Sequence, residues 1–129
     1  MKYAFLLLAL MFVGIATPSI AQKLTFEFEG KTIEVAKKDF PNEMNWGAAK
    51  KACKNLGNGW RLPSIEELGA IYKQLHMKGK GNFQNTWYWS SSEDDANDAW
   101  NFYFEDGRAS TYYGNKNSTN HVRAVRALP

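Results

Sequence analysis

Between Met44 and Leu68 the chain reads MNWGAAKKACKNLGNGWRLPSIEEL, two short helical patterns joined by a tight corner. Trp46, Ala49, Cys53 and Leu56 recur at helical spacing and give the first helix, about Trp46 to Leu56, one apolar face. Asn45 stands where an N-cap belongs, and Gly57 where a left-handed residue ends a helix. Ser64 followed three residues on by Glu67 is a capping box. It opens a second helix, about Ile65 to His76, whose Ile65, Leu68, Ile71 and Leu75 face a core. The corner between them carries Trp60 and Leu62, which need burial. Pro63 holds Leu62 extended, and Arg61 is within reach of Glu66 or Glu67.

The N-terminal residues 1–21 read as a secretory leader rather than part of the fold. Lys2 is the positive n-region, Tyr3 to Ile15 the apolar core, and Ser19 and Ala21 the small residues before a cut at Gln22. The run is too short and wrongly flanked for a stable membrane span, and no second run approaches spanning length. Residue 22 is not cysteine, so a bacterial lipoprotein anchor is not expected. The expectation is a protein secreted to the periplasm, cell surface or medium, with one domain over residues 22–129. Formal net charge is +3 for the whole chain and falls by one without Lys2. So weak a surplus on an exported chain argues against a nucleic-acid partner. The single cysteine, Cys53, has no partner for an internal disulfide. The five tryptophans all follow residue 21 and can supply a firm core in its place.

Lys23 to Ala36 alternates as a half-buried hairpin: Leu24, Phe26 and Phe28, a turn at Gly30-Lys31, then Ile33 and Val35. After the helices, Met77 to Thr86 is a Gly/Lys/Asn loop. Trp87 to Ser92 is a strand with Trp87 and Trp89 on one face and Tyr88 on the other. Ala99 to Phe104 sets Trp100, Phe102 and Phe104 against Asn101 and Tyr103. Asp106-Gly107 signals a hairpin returning along Ala109 to Tyr113. His121 to Ala127 closes the chain, with Val122 and Ala124 opposed to Arg123 and Val125. Two early helices and a late antiparallel sheet make an α+β domain preceded by a β-hairpin.

Five motifs then stand in a recognisable order. They are Trp46-x-x-Ala49-x-x-x-Cys53-x-x-Leu56, Trp60-Arg61-Leu62-Pro63-Ser64-x-x-Glu67-Leu68, Tyr88-Trp89-Ser90-Ser91, Ala99-Trp100 with Phe104 and Gly107, and Val122-Arg123-Ala124-Val125-Arg126. Over about 44–128 the chain resembles the Lcl C-terminal domain family, the adhesin-tip domain of collagen-like bacterial surface proteins, which also occurs in secreted proteins of unknown function. The resemblance implies a C-type-lectin-like fold and extracellular binding, with acidic glycans as ligands of some members. It also implies a second cysteine where this chain has Ala124. Cys53 is therefore expected buried beside Ala124 as a small apolar residue.

Chemistry-bearing patterns are sparse. Glu93-Asp94-Asp95-Ala96-Asn97-Asp98 has oxygens for calcium but no EF-hand spacing, and it reads as a solvated loop. His76 and His121 with Cys53 have no zinc-ligand spacing. Cys53 lies on an apolar helix face, where a thiolate is disfavoured. Ser90-Ser91-Ser92 lacks a nucleophile elbow and reads as hydroxyls bonding local backbone. No cofactor, metal or catalytic set is expected. Trp46, Cys53, Trp60, Arg61, Pro63, Trp89, Trp100 and Ala124 read as architecture. The candidate binding surface is the open side of the late sheet: Tyr88, Asn101, Tyr103, Tyr112 and Tyr113, with Arg108, Lys116 and Arg123 adding a preference for anions. The expected function is a non-catalytic binding module for a glycan or an extracellular or envelope protein. The alternative is a structural or assembly component of a cell-surface apparatus.

Overall fold

The computed structural model describes residues 22–129. The expected leader lies outside the described residues. Strands β1 (Leu24–Phe28) and β2 (Lys31–Val35) form the hairpin, with Phe26 opposite Ile33. Its turn is Glu29-Gly30, one residue earlier than expected, because both carry the positive φ that a two-residue hairpin turn needs (50° and 75°).

Helix α1 (Trp46–Asn55) starts at Asn45, whose side-chain oxygen accepts from Ala48 N at 2.9 Å. Leu56 caps it instead of joining the core and is 47% exposed, because the left-handed turn at Gly57 (φ 72°) ends the helix there. Helix α2 (Ile65–Gln74) opens with the reciprocal Ser64–Glu67 box at 3.1 and 2.8 Å. It gives way to a 3₁₀ turn, His76–Lys78.

Strands β3 (Trp87–Glu93), β4 (Ala99–Tyr103) and β5 (Arg108–Ser110) form a second antiparallel sheet. The return strand is shorter than expected because Tyr112, Tyr113 and Gly114 leave it for a turn closed by Gly114 N on Thr111 O. Strand β6 (Val125–Ala127) pairs antiparallel with β2, giving the order β1-β2-β6. Ahead of it, His121 bridges to β3 in parallel, bonding Trp87 O and Trp89 N at 3.0 Å each.

Two apolar clusters result. The first joins Phe26, Ile33, Leu68, Ile71, Tyr88, Phe102 and Phe104 between hairpin, α2 and the late sheet. The second joins Trp46, Cys53, Leu62, Trp89, Val122 and Ala124 under α1. Cys53 and Ala124 are both fully buried in it, as expected. A disulfide typically contributes about 2–4 kcal/mol. One or two buried large apolar side chains at about 1.5–3 kcal/mol each are of that size. Trp89 and Trp46 supply them, with both indole N–H groups bonded to carbonyls of Met44 and Ser90 at 2.7 and 2.8 Å.

The clusters lie on opposite faces of β3, and this revises the expected phases. Tyr88 was expected on an open face, but it is fully buried in the first cluster while Trp89 fills the second. Asn101 is buried opposite Trp89, and Trp100 is only half-buried and in neither cluster. No described helix is long and apolar enough to cross a membrane.

Candidate functional site

The register of the second sheet builds the site. Trp87 lies opposite Tyr103, and Tyr103 opposite Arg108, so the three form a row across β3, β4 and β5. Residues directly opposite share a face and meet side to side. The Trp87 and Tyr103 rings are stacked with centroids 4.5 Å apart and planes 18° apart. The Arg108 guanidinium sits 5.8 and 5.5 Å from the two ring centroids and pairs with Asp106 at 2.9 Å. From the turn after β5, Tyr113 leans on Trp87 at 5.3 Å. Tyr112 meets Tyr113 edge-on at 4.7 Å. Tyr112 and Tyr113 are 81% and 53% exposed. The hydroxyl of Tyr103 donates to Glu105, and that bond raises the Tyr103 pKa above the usual phenol value.

Beside these rings lies a shallow pocket of about 230 Å³ lined by Trp87, Tyr113, Glu43 and the Ser118-Thr119-Asn120 segment. That is below the range of about 300–1,000 Å³ for sites that engulf a small ligand. The geometry is a platform: aromatic faces for a ring or a side chain, with hydroxyls, an amide and a carboxylate at one edge.

Tyr103, Tyr112, Tyr113 and Arg108 are thus gathered on one surface, and Trp87, expected in the core, joins them half-exposed. Tyr88 and Asn101 are not on it. The Tyr88 hydroxyl donates to Asp39 at 2.7 Å and accepts from Gln84 N at 2.9 Å. Burial, then the bond to Asp39, pushes its pKa up. Asn101 is enclosed with neither side-chain polar atom bonded within the protein. Arg123 was expected to attract anions. Instead its side chain is 1% exposed, and it bonds Asp39 at 2.6 Å and the carbonyls of Ala36, Gly81 and Asn82 at 3.0, 2.9 and 3.2 Å. Sequence reading missed this because Asp39 is 84 residues away.

The acidic loop carries its own cation. Lys116 Nζ donates to Glu93 Oε2 at 2.8 Å and to the carbonyls of Asp95 and Ala96 at 3.0 Å. It also lies 4.5 Å above the Trp46 ring. The hydrogen bond to Lys116 holds Glu93 below the usual carboxylate range. Among the described residues no three His, Cys, Asp or Glu side chains are grouped to hold a metal. Cys53 lies in the second cluster, and His76 packs on rings of the first. Burial pushes the thiol up to about 12, while His76 rests on Phe83 and Phe104 and pairs with Asn85 at 2.8 Å.

The Trp60–Pro63 corner is architecture. Arg61 grips Glu67 with two bonds of 2.7 and 2.8 Å, and its backbone bonds Val125 in both directions at 2.9 Å. Burial alone would raise the Glu67 pKa. The bonds from Arg61 and Ser64 outweigh it and lower the value. The serines are local too: Ser90 Oγ donates to Trp100 O, and Ser92 Oγ accepts from Ile65 N.

Two helices, a sheet of first and last strands, and a second small sheet beneath long loops define a C-type-lectin-like domain. The crystal structure of botrocetin shares this fold with a TM-score of 0.51, covering 81% of this chain and 96% of that one at 13% identity. The model of the Lcl C-terminal domain matches residues 22–126, and the chain belongs to that family. No curated protein matches it in sequence.

Proposed function

We propose that the chain is an exported, non-catalytic binding module that holds a glycan, or a protein of the envelope or extracellular space, on the Trp87–Tyr103–Tyr113 platform. One observation carries this reading: a stacked indole and phenol, extended by two exposed tyrosines and edged by Arg108, where a soluble surface has no packing need for them. Aromatic faces stack on sugar rings and apolar side chains at little entropic cost. The family and the fold support a binding role. Export rests on the Lys2 to Ala21 pattern, and a mature N-terminus at Gln22, read by mass spectrometry, is the expected result.

A glycan array probed with residues 22–129 tests the ligand class. Retention of a glycan set, lost in Tyr103→Ala/Tyr113→Ala at unchanged melting temperature, is the expected result. Retention indifferent to both tyrosines overturns the platform. An array without signal, with a protein partner recovered from the envelope fraction, favours the assembly role.

A further inference from the structure

A second concave surface shares no residue with the platform pocket. It is a groove of about 750 Å³ between the outer face of α1 and the Gly57–Leu62 corner, with Ser91 of β3 at its base. Its apolar lining is Trp60 with the edge of Leu62, beside the backbone of Gly57, Asn58 and Gly59. Its rim is cationic, with Lys50, Lys51 and Lys54 along α1 and Arg61 opposite.

The charge along the α1 side of this rim is held by no ion pair among the described residues. Arg61, opposite, is committed to Glu67. No carboxylate lines the groove. Lys50 rests over the Trp46 ring at 4.0 Å, and Lys51 and Lys54 form no ion pair among the described residues.

The floor is rigid as well as apolar. Gly57, Asn58 and Gly59 are all left-handed, at φ 72°, 53° and 83°. Trp60 N bonds back to Gly57 O, and Arg61 is tied to Val125. Arg126 packs over the Trp60 ring at 4.5 Å and is itself fixed by Glu34 at 2.8 Å. A ring so held loses little freedom on binding, which is how an anchor residue becomes efficient.

We infer that this groove docks an acidic peptide segment of a partner protein, one that sets a large apolar side chain against Trp60 and carboxylates against Lys51 and Lys54. Charge complementarity fixes the sign of the partner. A peptide can set a large apolar side chain on Trp60 and carboxylates on the lysines at once, which a sulfated or uronic polysaccharide, lacking such a side chain, does not. The inference is independent of the platform reading.

A random-peptide array probed with residues 22–129 tests it. The expected retained set is enriched in Asp and Glu flanking Leu, Phe or Trp, and retention weakens with salt. Lys51→Glu/Lys54→Glu lies on the exposed helix face and leaves the fold intact. It is expected to lower retention by about tenfold or more. Trp60→Leu keeps an apolar floor, lowers retention less and removes the preference for aromatic side chains. Three outcomes overturn the inference: no acidic enrichment, equal retention of acidic peptides without apolar residues, or displacement of every peptide by a sulfated oligosaccharide that binds the same groove more tightly.

Discussion

The ammonium of Lys116 stands 2.8 Å from Glu93 Oε2 and 3.0 Å from two carbonyls of the same loop, where a loop of this composition would otherwise offer oxygens to a cation. Its side chain is 19% exposed, and its own backbone bonds Trp46 N and Asn97 O. One residue thereby joins the 93–98 loop, the 114–120 loop and the start of α1.

Lys116→Met is expected to loosen both loops without unfolding the domain. Amide exchange over 93–98 and 114–120 should quicken while β1, β2 and α2 stay protected. Melting of the unaltered protein should not change between calcium and chelator. Because Glu93 is held below its ordinary value, the pair is intact above that value and dissolves as pH falls through the lowered one.

Asp39→Ala should be far more damaging. It strands a buried guanidinium whose other bonds go only to carbonyls, and it removes the acceptor of the Tyr88 hydroxyl. Loss of one partner of a buried pair costs about 3–5 kcal/mol, readable by urea denaturation. A loss below about 1 kcal/mol, the size of an exposed pair, would contradict the buried network.

Glu67→Ala removes both the capping box and the Arg61 clamp, an expected loss of about 1–3 kcal/mol. Glu67→Gln should lose less and flatten the acid limb of the stability curve. The sign follows from a folded pKa below the ordinary 4.5: the contribution is present above that value and is lost as pH falls through the lowered one.

The helices were legible because their signals are local. Asn45, Ser64, Glu67 and Gly57 act within a few residues, and each does what its spacing implies. The site was half legible. Tyr103, Tyr112, Tyr113 and Arg108 are on the surface, but Tyr88 and Asn101 are not. Alternation reports two faces and does not say that both are covered. Here one cluster takes Tyr88 and the other Trp89, so neither of these two neighbours is left for solvent. Arg123 shows the same limit for charge, since its partner and its carbonyls come from segments more than 40 residues away.

Ala124→Cys tests whether the second cluster retains the geometry of the disulfide that the family resemblance implies. In oxidising buffer the variant should lose its reactive thiols and gain about 2–4 kcal/mol, and the gain should vanish under reductant. In the unaltered protein Cys53 should resist alkylation at pH 8 until the chain unfolds. Its folded pKa near 12 lies above the ordinary 9.0. Burial of the neutral thiol therefore stabilises fully below about pH 9, and the effect fades as pH climbs towards 12.

Strands β1 and β6 both run antiparallel to β2, on either side of it, and so run parallel to each other. Force applied outward at Leu24 and at Ala127 therefore slides these strands along β2 rather than peeling them away. Ladder bonds lie across the strands, so all of them bear such a load together. A domain built this way resists tension applied between its two ends better than its size suggests.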